Sequence, residues 1–146
     1  MSRIDQNMAV TAAGLLPDVV GDNARELRSR FRHLPVQLHT SGLAATYAFL
    51  AARSHSASSD RLTGAYRDVA KQIRVHLADK GMVPAGLGTA VGPEAHRAML
   101  SALGEMDAQS YARASREVSV LFSWLRRLAD AVYTQVKTET PDEEER

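Results

Sequence analysis

The stretch Tyr111–Val136, YARASREVSVLFSWLRRLADAVYTQV, decides the fold. Its apolar positions Tyr111, Ala114, Val118, Leu121, Leu125, Leu128, Val132 and Val136 recur at intervals of 3, 4, 3, 4, 3, 4 and 4. Such intervals keep side chains on one stripe of a helix, because a turn takes 3.6 residues. Eight positions without a miss predict a long amphipathic helix, with Asp107 placed to cap its first turn. Beyond it, Pro141 and the acidic run that follows should be disordered.

The same period runs through the chain upstream. Leu27, Phe31, Leu34 and Leu38 form one stripe, and Pro35 inside it predicts a kink or restart at about His33 or Leu34. Ile4, Met8, Leu15 and Val19 form an earlier stripe that Gly21 and Asp22 close. Ser41-Gly42 marks a break before Leu43, Thr46, Tyr47 and Leu50, a segment dense in alanine, as a central helix often is. Ser59 or Asp60 can cap a fourth helix striped by Leu62, Tyr66, Val69, Ile73 and Leu77, and Gly81 ends it. Met82–Gly92, with Pro84, Gly86 and Gly88, reads as a flexible connection. Pro93 then suits the first position of a short fifth helix carrying Met99, Leu100 and Leu103. The expected fold is all-α: about six helices in one compact domain over residues 1–137, with a tail over 138–146.

Composition narrows the chemistry. The 146 residues include no cysteine, which excludes disulfides, zinc–thiolate sites and thiol catalysis. No apolar run has the length of a signal peptide or a membrane span, so a cytoplasmic protein with no membrane partner is expected. His33, His39, His55, His76 and His96 form no i,i+4 pair and no HExxH, so no metal site is expected. Ser41 lacks the GxSxG elbow and the strand that precedes it. The G-L-G-T-A-V-G run at Gly86–Gly92 has neither dinucleotide-loop nor P-loop spacing, and it follows a helix. Glu105 and Asp107 sit at a turn where capping accounts for them. The expectation is a protein without catalytic residues, cofactors or metal.

Charge is the feature with functional content. Five acids against Arg146 give the tail Thr138–Arg146 a charge of −4, so a net +1 leaves +5 on the body. Fifteen of the eighteen basic residues are arginine, the side chain suited to bidentate phosphate contact. Arg25, Arg28 and Arg32 share one side of the second helix, and Arg67, Lys71 and Arg74 one side of the fourth, with few compensating acids in view. Such stripes are most often solvated faces, but two of them favour contact with a polyanion without sequence readout.

Two further segments carry a resemblance. One is Leu34-Pro35-Val36-Gln37-Leu38 leading to Ser41-Gly42-Leu43, Thr46, Ala48-Phe49-Leu50 and Arg53. The other is Tyr111, Ala114, Glu117, Leu121 and Trp124-Leu125-Arg126-Arg127. With Gln6 and Ala9, their order over residues 3–133 resembles the small subunit of the Cmr complex, the type III-B CRISPR effector. Asn7 and Met8 stand where the family pattern has basic residues, while Arg53 and Arg126 replace its lysines and keep the charge.

The resemblance implies a helical subunit without nuclease activity, stacked in several copies as a minor filament beside the backbone subunits. Its basic face would border the guide–target RNA duplex in antiviral defence. Its partners would be guide RNA, target RNA, other Cmr subunits and further copies of itself. Arg25, Arg28, Arg32 and Arg53 are then the first candidates for RNA contact, followed by Arg126 and Arg127, whose stems could instead pack over Trp124. Trp124, Leu125 and Phe49 suit the core. Two other readings compete: the small subunit of the sister type III-A complex, and a helical DNA-binding regulator. The second needs a polar reading helix, and Leu34–Leu43 is apolar and alanine-rich.

Overall fold

The computed structural model describes residues 2–19, 21–54 and 61–133, with side chains at 2–5 and 61 left aside. Among them are six α-helices and no strand: α1 Ser2–Leu15, α2 Asp22–Ser41, α3 Leu43–Arg53, α4 Arg61–Asp79, α5 Gly92–Gly104 and α6 Ala108–Val132. A short 3₁₀ turn, Ala85–Gly88, lies between α4 and α5. The all-α expectation is met. The predicted caps Ser59 and Asp60, the side chain of Ile4, His55, Val136 and the acidic tail lie outside the described residues.

The stripes predicted for α2 and α4 are buried apart from half-buried Leu62, whereas the first falls short: α1 ends at Leu15, which leaves Val19 outside it, and both Leu15 and Val19 are only half-buried. Leu27, Phe31, Leu34 and Leu38 of α2 are buried, as are Tyr66, Val69, Ile73 and Leu77 of α4. Pro35 does not break α2, which runs unbroken from Asp22 to Ser41. A proline inside a helix costs about 3 kcal/mol, because its ring clashes and the carbonyl four residues back loses a donor. Burying the four stripe side chains contributes roughly 1.5–3 kcal/mol each, which exceeds that cost.

Breaks fall where glycine is required. Gly42, at φ 95°, separates α2 from α3 in a conformation that a β-carbon disfavours. Gly81, at φ 74°, closes α4, with the Met82 N–H donating to the Leu77 carbonyl (2.9 Å) and the Gly81 N–H to that of Ala78 (3.0 Å). Asp107 caps α6 as expected, its Oδ1 accepting from the Ser110 N–H at 2.8 Å. These hydrogen bonds from Ser110 hold its carboxyl below the usual range.

Two departures have physical causes. Residues 82–92 are not a loose connection: Val83 and Leu87 are buried, and Leu87, Thr89 and Ala90 donate backbone hydrogen bonds within the turn. On α6 the buried face moves. Val132 is 57% exposed, whereas Phe122, Ala129 and Tyr133 are buried. A strict 3,4 repeat drifts by about 20° per heptad on a straight helix, so the stripe leaves the core after three heptads.

The chain packs as two compact units. The first draws on Met1–Val36 and Val120–Arg146. Its core holds Met8, Ala12, Leu27, Phe31, Leu34, Leu121, Phe122 and Leu125. The Tyr133 hydroxyl donates to the Pro17 carbonyl at 2.7 Å, tying the end of α6 to the segment after α1.

The second unit is Gln37–Ser119. Its core holds Leu43, Tyr47, Leu50, Val69, Ile73, Leu77, Met99, Leu103 and Val118. The Ala44 N–H donates to the Tyr111 hydroxyl at 2.8 Å, so a side chain of α6 satisfies one of the first donors of α3. His76 Nε2 and Glu117 Oε1 lie 2.6 Å apart, joining α4 to α6. Thr46 is buried in α3, and its hydroxyl has no hydrogen-bond partner among the described residues. Among the described residues no helix is long and apolar enough to cross a membrane.

Candidate nucleic-acid interface

In the first unit, the turn spacing of α2 places Arg28 and Arg32 on one side, where both reach Asp130 of α6. Arg28 Nε and Arg32 Nη2 each donate to the same carboxylate oxygen, Asp130 Oδ1, at 3.0 Å. The side chains differ in exposure: 16% for Arg28, 52% for Arg32 and 35% for Asp130. Burial works against the charged form of Asp130, but the two guanidinium groups outweigh it and hold the carboxyl below its ordinary range.

Arg25, Arg28 and Arg32, expected to have few compensating acids on their face, are each paired with a carboxylate. Arg25 pairs with Asp22 at 2.9 Å, and Arg30 with Glu26 at 3.4 Å. Both are exposed intrahelical pairs of the kind worth about 0–1 kcal/mol, which a phosphate can displace. Arg28 is different. Mostly buried and held at Asp130, it orients its neighbours more than it offers a free face. Asp22 and Glu26 were visible one turn from their partners in the sequence. Asp130 was not, because it lies 98 residues beyond Arg32.

Arg126 and Arg127 stand four and three residues before Asp130 on α6, which puts them one turn away on its side of the helix. Both are exposed. The Arg127 guanidinium lies 5.6 Å from the ring centre of half-buried Trp124, so its stem covers the indole while its charge stays outside. Arg126 has no carboxylate within 4.0 Å among the described residues. Four arginines thus gather around one carboxylate, a local charge of +3.

Arg53 belongs to the second unit. It is exposed at the end of α3, with its guanidinium 4.7 Å from the ring centre of Phe49. Phe49 and Trp124 are half-buried rather than fully in the core, unlike Leu125.

The stripe predicted on α4 divides. Arg67 and Lys71 are exposed, whereas Arg74 is only 4% exposed and donates to three oxygens. Its Nη1 reaches the Tyr47 hydroxyl at 2.9 Å, its Nε the Leu87 carbonyl at 3.3 Å and its Nη2 the Ala90 carbonyl at 3.1 Å. Leu87 lies in the 3₁₀ turn and Ala90 two residues after it, and the fold of this segment around α4 is not written in any spacing.

Since Tyr47 accepts from Arg74, its own proton is free for His96 Nδ1, 2.8 Å away. Burial pushes the Tyr47 phenol up, which keeps it a donor. Among the described residues no group of three or more His, Asp or Glu could hold a metal ion.

A family model described as CRISPR-associated protein (Cas_Cmr5) matches residues 4–132. No curated protein and no solved structure matches the chain.

Proposed function

From the chain's membership of the Cmr5 family, subunits of type III-B Cmr complexes, we propose that it is a non-catalytic RNA-contacting subunit. It stacks with further copies of itself beside the backbone subunits and borders the guide–target duplex in antiviral defence in the cytoplasm. The observation that carries this reading is the arginine cluster around Asp130. Arg32, Arg126 and Arg127 present exposed charge, and Arg28 is fixed behind them. An A-form duplex offers chiefly phosphates and 2′-hydroxyls, so guanidinium contacts without base readout suit it. Guide pairing would supply sequence specificity. Arg25 and Arg53 are secondary contacts. Arg25 must first give up Asp22, and Arg53 lies in the other unit.

Reversing Arg32, Arg126 and Arg127 to Glu in the assembled complex tests the reading. The variant complex should still form on its backbone subunits but hold target RNA at least tenfold more weakly. Unchanged target binding by a fully assembled variant complex would remove this site assignment.

A further inference from the structure

The second unit contains a pocket of about 440 Å³ between α4 and the start of α5, lined by Arg67, Asp68, Lys71, Arg74, Ser54 and His96. That volume falls within the range of small-molecule sites. Arg67, Lys71 and Arg74 occupy positions i, i+4 and i+7 of α4, which a helix aligns on one side. Three cations against Asp68 give the lining +2 with His96 neutral. Among the described residues none of the three cations has a carboxylate within 4.0 Å.

Arg74 is the informative member. A buried guanidinium without a counter-ion is expensive, and carbonyl dipoles offset only part of that cost. Three of its five N–H donors are engaged, leaving two. The surroundings are ordered around it in one direction. Arg74 donates to Tyr47, and Tyr47 to His96 Nδ1. That leaves the proton of a neutral His96 on Nε2, facing Ser54 Oγ at 3.5 Å, while Ser54 gives its own proton to the Ala51 carbonyl at 2.9 Å. The chain thus stiffens a wall on which the buried guanidinium of Arg74 meets no carboxylate within 4.0 Å among the described residues. The first turn of α5, opening at Gly92-Pro93 beside the pocket, adds the positive end of a helix dipole.

We propose that this pocket binds a phosphate group, carried either on a nucleic-acid strand or on a free phosphate ester. A tetrahedral oxyanion takes several donors at once and matches the +2 lining. The remaining volume accommodates the sugar attached to it. The pocket stands on its own geometry, and only a strand as its occupant rests on the RNA-binding reading.

Backbone and histidine NMR signals of the full-length protein, titrated with inorganic phosphate against chloride at equal ionic strength, test the pocket. Phosphate should shift Lys71, Gly92 and His96 where chloride does not, and Lys71→Ala should weaken its binding about tenfold, the loss expected for one charged contact. Lys71 and Arg67 are exposed, so the Arg67→Ala, Lys71→Ala double variant keeps the core intact and should abolish the shifts. A ten-nucleotide oligouridine that displaces phosphate identifies a strand as the occupant. Phosphate shifts that survive saturating oligouridine identify a free phosphate ester instead. The proposal fails if phosphate and chloride act alike, or if the double variant shifts as the parent does. Oligouridine binding with a silent pocket would sink this proposal and leave the RNA reading standing. Phosphate binding with no oligouridine binding would do the reverse.

Discussion

Asp130→Ala separates the two roles of the arginine cluster. The change leaves Arg28, mostly out of water, without the anion that its Nε meets at 3.0 Å. A hydrogen bond between charged groups of that kind is worth about 1.5–3 kcal/mol. The Arg32 contact is half-exposed and worth at most about 1 kcal/mol after solvent screening. Because Asp130 is itself partly exposed, the combined loss is about 2 kcal/mol rather than the sum of upper limits. For a chain of this size that lowers the melting temperature by about 4–8 °C.

The same change raises the charge of the cluster from +3 to +4 and frees Arg32. Binding to a single-stranded RNA should therefore tighten, by up to about fivefold at low salt. Urea unfolding and fluorescence anisotropy at 20 °C, where the variant remains folded, read the two effects separately. Opposite signs, with stability down and affinity up, are the expected pattern. A folded variant with weaker RNA binding would refute the reasoning, because Asp130 would then be supporting contact rather than competing for it. Unchanged stability would show that the shared carboxylate oxygen does not hold the two helices.

Three other outcomes follow from the geometry. Arg74→Met should cost about 2–4 kcal/mol in urea unfolding, since the Leu87 and Ala90 carbonyls and the Tyr47 hydroxyl lose their donor; a loss under about 0.5 kcal/mol would contradict the anchoring role. Thr46→Val should raise stability by about 1 kcal/mol, because it removes a buried hydroxyl that has no partner among the described residues; a loss of stability would mean that the hydroxyl has a partner. The carboxyls of Asp130 and Asp107 are depressed in the folded state. Their contribution is therefore full above the unfolded pKa of about 3.9 and is lost as pH falls through the lower folded values. Stability should be flat above about pH 5 and fall below about pH 4, with a shallower acid limb in Asp130→Ala.

Most of the helices were legible because period and punctuation agree. The stripe of α4 and its glycine stop, the Gly42 break, and the Asp107 cap all depend on residues within a turn or two of each other. Pro35 shows where local punctuation is insufficient: its penalty is local, whereas the burial of Leu34 and Leu38 on either side of it, which keeps α2 continuous, depends on tertiary packing. The face of α6 drifted because a 3,4 pattern approximates a 3.6-residue turn and the error accumulates. At the candidate site, the arginines were legible as residues but not as partners. Asp130 meets Arg28 and Arg32 only through tertiary packing, and Arg74 looks like a surface cation until the carbonyls of residues 87 and 90 fold over it. A buried arginine on an otherwise apolar face, followed by a Gly-rich segment rich in unsatisfied carbonyls, is the signal that could have separated Arg74 from Arg67 and Lys71.

The salt dependence of RNA binding probes the arginine cluster most directly. Two oligoribonucleotides of equal length and unrelated sequence should bind with the same affinity. The slope of log K against log salt should be about −2, as three phosphate contacts on a single strand require. Reversing Arg32, Arg126 and Arg127 to Glu should flatten it. A strong preference for one sequence, or a parent slope near zero, would contradict electrostatic grip by these arginines.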